Sequence, residues 1–474
     1  MKNILIAIRS IFKKGRHNVM KIVSLGIGLA VGLVLIAKVY FEQSYDDFYP
    51  DRDRVYQVWA KYQQNGGELK DYPQTSGGIA PTMQQQIPEI ETVTRYTSFG
   101  DWTFTMTDTK MKYSGRCIIA DSCFFDILPR PMLIGNAKEV LSTPMYVLIS
   151  SRIAKNIGGD VIGKNFTVDN SPGRTMTIGG VFEEVPENSH SRYDVIVSMA
   201  SAGRFMWEGS PTNMLGNDRY ISYVKLHKGV NPLALEEQVR TFVNSYFPPE
   251  EQQKVGLSID FSFHKLDNLH KELPQVKRMT WILSLLAFAL IFTAVMNYIL
   301  IVISSIVNRS KEVAVHKCYG ASENNIHGMM FGEALVHIVL SLILALLLIL
   351  AFRGTVEELL ATSLDSLLLS NGSLVLLGIC ILVFFVSGFM PGSLYARIPA
   401  ASAFRNYREN KRIWKKALLL VQFVATGFLV TMLVFVARQY TFMVNDRPGY
   451  AYENLAYCGL AGVDSTSRAK ILDE

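Results

Sequence analysis

Charged residues are scarce in this 474-residue chain, at 19% of the total, and the net charge is only +6 at pH 7. Because 49% of the residues are hydrophobic, the composition excludes a disordered chain. It also argues against a dedicated nucleic-acid binder, whose basic residues would cluster on one surface, so we expect no nucleic-acid partner. The mean hydropathy of +0.19 points away from a purely cytosolic enzyme.

Cysteine is scarce too, with five residues, and their spacing does not indicate a disulfide framework. Cys117 and Cys123 are separated by five residues, and an oxidising compartment would permit a bridge between them. A disulfide and a pair of free thiols are equally compatible with this spacing. Cys318, Cys380 and Cys458 fall in three different predicted segments, so we expect no bridge among them.

The apolar residues are concentrated in a few long segments. A hydrocarbon core of about 30 Å requires about 20 apolar residues in a helix. Five segments meet this length: 22–41, 279–307, 329–352, 373–395 and 417–437. The first is too long for the apolar region of a signal peptide and lacks a cleavage site, so we interpret it as a retained anchor. Lys38, near its end, is expected to snorkel towards the interface.

Lysine and arginine predict the orientation of these spans. The N-terminal tail and the loops after the second and fourth spans are basic, whereas the loop after the third has one Arg against three acids. This predicts a cytoplasmic N-terminus in an inner membrane protein. Segments 308–328 and 396–416 are then cytoplasmic, whereas 42–278, the short loop 353–372 and the residues from 438 to 474 lie outside.

The N-terminal residues 1–21 combine apolar residues at helical spacing with basic ones, including Lys13, Lys14 and Arg16. An amphipathic helix of this composition lies on anionic membrane lipids. A generic basic flank of the first span explains the pattern equally well. We expect these three basic residues at the membrane surface in either case.

The long segment 42–278 holds most of the glycine, proline and polar turn signals, which indicates a folded domain. Asn231-Pro232 followed by periodic apolar residues predicts a capped amphipathic helix. Short alternating stretches predict half-buried strands at Thr103–Met106, Thr175–Ile178 and Asp194–Met199. The predicted fold class is an α-helical multi-pass membrane protein with an inserted α+β extracytoplasmic domain.

The sequence GGDVIGKN at 158–165 nearly matches a phosphate-binding P-loop. That loop requires Ser or Thr after its lysine, because the hydroxyl binds Mg²⁺, and Asn165 stands there instead. We interpret the segment as a turn, and we expect no ATP-binding motif and no bound cofactor in this chain.

Ser189, His190 and Asp194 contain the residue types of a hydrolytic triad. A triad is normally assembled by the fold from separate segments, and no nucleophile elbow is present. We therefore interpret these residues as a structural turn before a strand, and we expect no catalytic residues.

Glu333 and His337 are four residues apart in the third span and share a helix face. Ionisable residues within a membrane indicate a functional site. A metal site would need a third ligand at the same depth, and we expect no metal here. Local pairing of Glu333 with the cytoplasmic loop is the favoured interpretation.

Several motifs resemble those of the FtsX/MacB-type permeases of ABC transporters. They include SYDDF at 44–48, the segment from GGV at 179–181 to PENSH at 186–190, and NRSKEVAVHKCYGAS at 308–322. The last is similar to the cytoplasmic R-x-x-E-I-x-x-R-x-x-G-A-S signature of that family, although His316 stands where Arg is favoured and Tyr319 where Leu is usual. The resemblance implies a MacB-like periplasmic core domain on an FtsX-like transmembrane domain.

The resemblance implies that a separate cytosolic ABC ATPase dimer, which holds ATP and Mg²⁺, presses on the loop 308–328. The first two spans would transmit the movement to the outer domain, a mechanism called mechanotransmission. The matching residues predicted to couple the ATPase are Arg309, Lys311, Glu312, Val315, Lys317, Gly320 and Ala321.

Three functions remain open. The chain exports a lipid, peptide or antibiotic-like substrate, or it acts on an envelope partner such as a cell-wall hydrolase or a periplasmic adaptor, or it is a scaffold that senses antimicrobial peptides. A membrane-embedded hydrolase is disfavoured because the polar groups of the spans do not converge.

The fifth span, 417–437, exceeds the four spans of a single family unit and follows basic residues as the first span does. Tandem forms of the family carry two such units, so we expect 438–474 to begin a second, truncated outer domain. Pairing of two permease units, in tandem or as a homodimer, is expected.

Overall fold

The computed structural model of the chain describes residues 17–168, 171–216, 218–368, 372–396, 413–445 and 470. The chain divides into two compact units. Among the described residues, the helical unit comprises the chain up to Gln43 and from Pro274 to Asn445, and the sheet unit is built on Ser44–Leu273.

The long apolar α-helices all belong to the helical unit, which also contains short helices, and the helices described in the sheet unit are all short. In chain order they are α1 Asn18–Gln43, α2 Ile79–Gln86, α3 Phe124–Ile127, α4 Ala137–Ser142, α5 Ser151–Ile157, α6 Ala202–Phe205, α7 Glu236–Tyr246, α8 Pro249–Val255, α9 Pro274–Ser304, α10 Ile306–Cys318, α11 Glu323–Ala351, α12 Arg353–Leu360, α13 Leu364–Leu368, α14 Ser373–Ala396 and α15 Ile413–Asn445.

The strands form one mixed sheet in the order β11-β1-β10-β3-β4-β9-β6-β8-β5, with β2 paired to β1. Two neighbouring pairs, β4/β9 and β6/β8, are parallel. The strands are β1 Val55–Gln64, β2 Lys70–Tyr72, β3 Ile90–Met106, β4 Lys112–Ala120, β5 Met132–Ile134, β6 Tyr146–Ser150, β7 Asn165–Val168, β8 Ser171–Phe182, β9 Val195–Ser198, β10 Ile221–Leu226 and β11 Leu257–Lys265.

Strand β7 closes part of this sheet into a ring, because it pairs with both β3 and β8. The circuit β3-β4-β9-β6-β8-β7 encloses a core that includes Phe104, Phe166 and Cys117. Burial raises the pKa of the Cys117 thiol. Cys123 instead donates to the Val93 carbonyl at 3.1 Å, and both cysteines are free thiols.

The strand predictions need one correction. The stretches at Thr103–Met106 and Thr175–Ile178 fall within β3 and β8, as strands. The stretch Asp194–Met199 contains β9, whose residues are buried on both faces rather than half-buried. The reason is that two cores cover the strand: Val195 and Val197 lie in the core of the closed ring, whereas Ile196 on the other face packs in a core that includes residues of α3 and α4.

A second core joins the other end of the sheet to α2 and α7. Val239, Phe242 and Val243 of α7 are buried in it at helical spacing. The predicted helix after Asn231-Pro232 begins later than expected, because a 3₁₀ turn at Pro232–Leu235 precedes α7.

Within the described residues, five helices are long and apolar enough to cross a membrane: α1, α9, α11, α14 and α15. Helices α1, α9 and α11 begin before the predicted apolar segments, at Asn18, Pro274 and Glu323, whereas α9 ends at Ser304, short of the predicted residue 307. Hydropathy detects the apolar part of a helix, whereas the helix itself continues through polar turns. The predicted loop 353–372 contains α12 and α13.

Helix α1 packs closely against α9 through two glycines one turn apart. A Cβ atom at Gly28 would overlap the side chain of Ala294, and one at Gly32 would overlap Ile291. Gly26 faces α11, where a Cβ would lie 2.9 Å from Leu344. This G-x-x-x-G arrangement lets the helix backbones approach closely, as small residues do between membrane helices.

Candidate functional site

Helices α10 and α11 form a hairpin whose turn has a defined capping geometry. Gly320 has a φ of +84°, in the left-handed region. Its N–H donates to the Lys317 carbonyl, and the N–H of Ala321 donates to the His316 carbonyl, both at 3.0 Å. These two bonds form a Schellman motif, which favours glycine at this position. Ser322 then caps α11 by accepting from the Asn325 N–H at 3.3 Å.

The hairpin presents some predicted coupling residues and buries its other face. Val315 is 43% exposed and Tyr319 is 88% exposed, whereas Val313 and Ala314 are buried in the core of the helical unit. Glu312, Lys317 and Ala321 are half-buried. The side chains of Arg309 and Lys311 lie outside the described residues, as do the basic residues Lys13, Lys14 and Arg16 of the predicted membrane-surface segment.

Helix α11 carries a line of buried polar residues at four-residue spacing: Glu333, His337 and Ser341. Glu333 Oε1 lies 3.6 Å from Lys21 Nζ of α1, and both side chains are almost inaccessible to solvent. Ser341 Oγ donates to the Ile22 carbonyl at 3.1 Å. The line therefore faces α1.

The pairing of Glu333 with the loop after the second span stays a prediction, and the ion pair that the structure describes joins Glu333 to Lys21. Lys21 belongs to the N-terminal segment, which is continuous with the first span in α1. Helix α1 begins earlier than the apolar residues do, and this extension brings Lys21 against α11.

The same line joins α11 to a third helix. His337 Nδ1 and the Tyr298 hydroxyl of α9 are 3.2 Å apart, and both side chains are buried. Glu333 and His337 thus contact different helices and do not converge on one site. Among the described residues, no group of three His, Cys, Asp or Glu is arranged to hold a metal ion.

Lys38 does not snorkel as predicted, because it has buried partners. Its Nζ lies 2.6 Å from Glu42 Oε1 and donates to Thr362 Oγ1 at 2.7 Å. Thr362 lies between α12 and α13, so the segment predicted as a short loop supplies the hydrogen bond. A buried charge that is paired and hydrogen-bonded no longer needs water.

In the sheet unit, Ser189 and His190 contact Asp46, whereas Asp194 lies elsewhere. Asp46 Oδ2 is 2.8 Å from His190 Nδ1, and Asp46 Oδ1 accepts from Ser189 Oγ at 3.2 Å. The other ring nitrogen of His190 contacts the Tyr223 hydroxyl. Because Ser189 and His190 both bind Asp46 and the serine does not contact the histidine ring, no nucleophile–base pair forms.

Asp46 is the centre of a clasp between residues 44–46 and 188–190. It is fully buried and has a φ of +61°. Its N–H donates to the Asn188 carbonyl at 2.9 Å, and Asn188 Nδ2 donates to the Ser44 carbonyl at 2.7 Å. The clasp fixes the segment that directly follows α1 to the body of the sheet unit.

A second set of contacts ties this entry segment to the exit segment before α9. Tyr45 stacks on His270 with ring centroids 3.4 Å apart. Asp47 lies 3.2 Å from Lys271, which also binds Asp267 at 2.7 Å. Burial raises the pKa of Asp267, but the hydrogen bond and charge of Lys271 outweigh this, and the net pKa is lowered.

The glycine-rich segment 158–165 is a turn that leads into a strand. Gly158, Gly159 and Gly163 all have positive φ, and β7 begins at Asn165. A P-loop instead leads into a helix whose N-terminus holds the phosphates. This segment therefore does not form a P-loop.

Two family models match successive parts of the chain. The MacB-like periplasmic core domain matches residues 20–242, and the FtsX-like permease C-terminal domain matches residues 284–400. The chain belongs to the MacB/FtsX family of ABC transporter permeases. It is a multi-pass membrane protein, and its sheet unit is the periplasmic or extracellular domain of this family.

Each of three similar solved structures covers less than half of this permease. A permease domain from Porphyromonas gingivalis is 33% identical, with 46% of this chain and 91% of that chain covered and a TM-score of 0.42. The periplasmic region of MacB from Actinobacillus actinomycetemcomitans is 16% identical (44% and 87% covered, TM-score 0.29). The extracellular domain of YknZ from Gram-positive bacteria is 11% identical (43% and 98% covered, TM-score 0.31). No curated protein matches the chain.

Several contact residues of this permease were not identified from the sequence. The glycine pair Gly28 and Gly32 does have a signal, since G-x-x-x-G in an apolar segment indicates close helix packing. Lys21, Asp46 and Tyr298 carry no such signal, because their partners lie far away in the sequence.

Proposed function

We propose that this permease couples a separate cytosolic ABC ATPase to movement of its extracytoplasmic domain. The ATPase would bind the exposed side of the α10–α11 hairpin, with the N-terminus and hairpin in the cytoplasm of the inner membrane. ATP and Mg²⁺ would be held by the ATPase dimer.

The pair between Lys21 and Glu333 carries this proposal. Glu333 lies about three turns after the start of α11, and Lys21 lies on α1, which continues into the clasped residues 44–46. A buried ion pair whose partners are held in place resists separation, because separating it leaves uncompensated charge. Displacement of α11 would therefore be transmitted to α1 and along the chain into the sheet unit.

The exposure of the hairpin supports a protein partner. Tyr319 and Val315 project apolar surface, while neighbouring Val313 and Ala314 anchor the same helix in the core. Exposed aromatic residues on a rigid support are typical of residues that dominate protein interfaces. Arg309, Lys311, Glu312, Lys317, Gly320 and Ala321 complete the proposed coupling element.

The proposed coupling is tested with full-length permease and its ATPase in liposomes. We expect Val315→Asp to lower permease-dependent ATP hydrolysis by about tenfold, since a charge replaces an apolar contact. Leu359→Asp on α12, where the side chain is 78% exposed, is the matched control and should leave hydrolysis unchanged. Unchanged hydrolysis in Val315→Asp would overturn the coupling role.

Within this function, export of a lipid, peptide or antibiotic-like substrate is the leading proposal. Control of an envelope hydrolase through an adaptor and sensing of antimicrobial peptides are the alternatives. Substrate movement across ATP-loaded liposomes containing only permease and ATPase would support export. Its absence, together with peptide-dependent signalling in cells, would favour sensing.

A further inference from the structure

A cavity of about 490 Å³ lies in the sheet unit where its two ends meet. Tyr45, two residues after α1, and Leu273, directly before α9, both line it. The stacked rings of Tyr45 and His270 form one wall. The cavity is therefore built from the residues at which the chain leaves and re-enters the apolar helices.

The lining of the cavity contains two arginines and no carboxylate. Arg116, Arg192, His190 and His270 all line it, whereas none of the lining residues is Asp or Glu. The Arg116 guanidinium makes no ion pair within the described part of the chain. Arg192 donates only to the backbone carbonyl of Glu187. These two guanidinium groups are available for an anion.

An adjoining cavity of about 280 Å³ shares these two arginines and contains acidic residues. Four carboxylates line this adjoining cavity, and two of them pair with another arginine: Arg152 lies 2.7 Å from Asp194 and 3.5 Å from Glu184. The other two are Asp101 and Glu187, and the larger cavity differs in having no acidic residue in its lining.

Apolar side chains line another part of the larger cavity. Trp59, which stacks on His264 with centroids 4.2 Å apart, lines it together with Leu269 and Leu273. A cavity with guanidinium groups in one part and aromatic and aliphatic side chains in another suits a ligand that has both an anionic group and an apolar portion. Guanidinium groups bind phosphate through paired hydrogen bonds.

We propose that this cavity binds an anionic amphiphile, with its phosphate against Arg116 and Arg192 and its apolar chain along Trp59 and Leu269. This site is independent of the proposed coupling to an ATPase. The phosphate could belong to a membrane phospholipid or to a soluble phosphate ester, and the apolar wall favours the phospholipid.

The test is calorimetric titration of the full chain in a nonionic detergent, with heats of mixing into protein-free micelles subtracted. The probes are dihexanoylphosphatidylglycerol, dihexanoylphosphatidylcholine and glycerol 3-phosphate. We expect the phosphatidylglycerol to bind at least about tenfold more tightly than either other probe. Equal affinity for phosphatidylcholine would contradict the claim that the cavity selects anions. Equal affinity for glycerol 3-phosphate would contradict the claim that the ligand needs an apolar chain.

Paired variants locate the binding. Arg116→Gln with Arg192→Gln should weaken phosphatidylglycerol binding by about tenfold or more, because two charge-assisted contacts are lost. Arg204→Gln with Arg219→Gln removes the same charge from exposed positions outside the cavity and should have no effect. If both double variants bind like the parent chain, the ligand binds elsewhere and the assignment is wrong. Unchanged unfolding temperatures confirm that the variants are folded.

Discussion

Helices α1 and α15 are alike in composition and differ completely in their surroundings. Both are long, apolar and preceded by basic residues. In α1, Leu25, Leu29 and Phe41 are buried by neighbouring helices. In α15, every described side chain is exposed or half-buried. Hydropathy alone therefore identifies a membrane helix without revealing whether protein or lipid covers it.

A few small and polar residues account for the difference. Gly28 of α1 is in contact with α9, whereas a Cβ at Gly427 of α15 would meet nothing within 4 Å. Lys21 and Lys38 of α1 are buried beside acidic partners. In α15, the polar contact between Gln422 and Asn297 of α9 is the one interhelical hydrogen bond seen among the described residues.

Breaking the Lys21–Glu333 pair is expected to have the largest effect on the stability of the protein. Glu333→Met leaves Lys21 charged and buried, so we expect the free energy of unfolding to fall by about 3 kcal/mol. Lys416→Met in α15 removes an exposed charge and should change it by less than about 0.5 kcal/mol. Denaturant unfolding in detergent micelles measures both.

A double variant separates pairing from packing. Lys21→Met with Glu333→Met removes both charges, so most of the stability lost in Glu333→Met should return. A double variant as unstable as Glu333→Met would mean that the pair is not the source of the loss.

The next largest effect on stability is expected from comparing Gly28 of α1 with Gly427 of α15. Gly28→Val forces α1 away from α9, and overpacking of this kind costs about 1 to 3 kcal/mol. Gly427→Val places the same side chain in open space. Thermal unfolding of the two variants should differ clearly, and equal stability would contradict the close packing of α1 on α9.

A substitution in the turn between α10 and α11 is expected to have a smaller effect on stability. Gly320→Ala puts a Cβ in the left-handed region, which costs about 1 kcal/mol, although no atom crowds the position. Gly354→Ala in α12 has ordinary φ and open space, and Ala favours helices, so it should be neutral or stabilising. Denaturant unfolding compares them, and a neutral Gly320→Ala would argue against the Schellman cap.

The ion pair between Asp267 and Lys271, in the segment before α9, gives the smallest expected effect on stability. Because Asp267 has a lowered pKa, the stabilisation it gains is present at neutral pH and is lost as pH falls through that lowered value, below about 3.9. We expect about 0.5 kcal/mol. Lys271→Met should flatten the pH dependence of the unfolding temperature between pH 5 and 3. An unchanged slope would show that the pair contributes nothing.

The sequence predicts the spans and the inserted domain because apolar length and turn residues are local properties. The roles of Gly320 and Ser322 are also local, since a helix C-cap and N-cap depend on neighbouring residues. The ring closed by β7 could not be predicted, because strand pairing depends on the whole fold.

The polar contacts were predicted less well for the same reason. Glu333 was singled out correctly as an unusual residue in a span, but its partner Lys21 is more than three hundred positions away. Ser189 and His190 do form a polar cluster, yet its acid is Asp46 and not the nearby Asp194. Residue type identifies such groups, and only the fold brings their partners together.

The most direct test of force transmission is a distance measurement between spin labels on the two units. Labels at Leu133 and Leu359, both exposed, would be placed in full-length permease in which Cys318 and Cys458 are replaced by serine. In liposomes with the ATPase, ATP should change the distance in the parent chain. In the Lys21→Met and Glu333→Met double variant, we expect no change although the protein is folded. An equal change in both would contradict transmission through this pair.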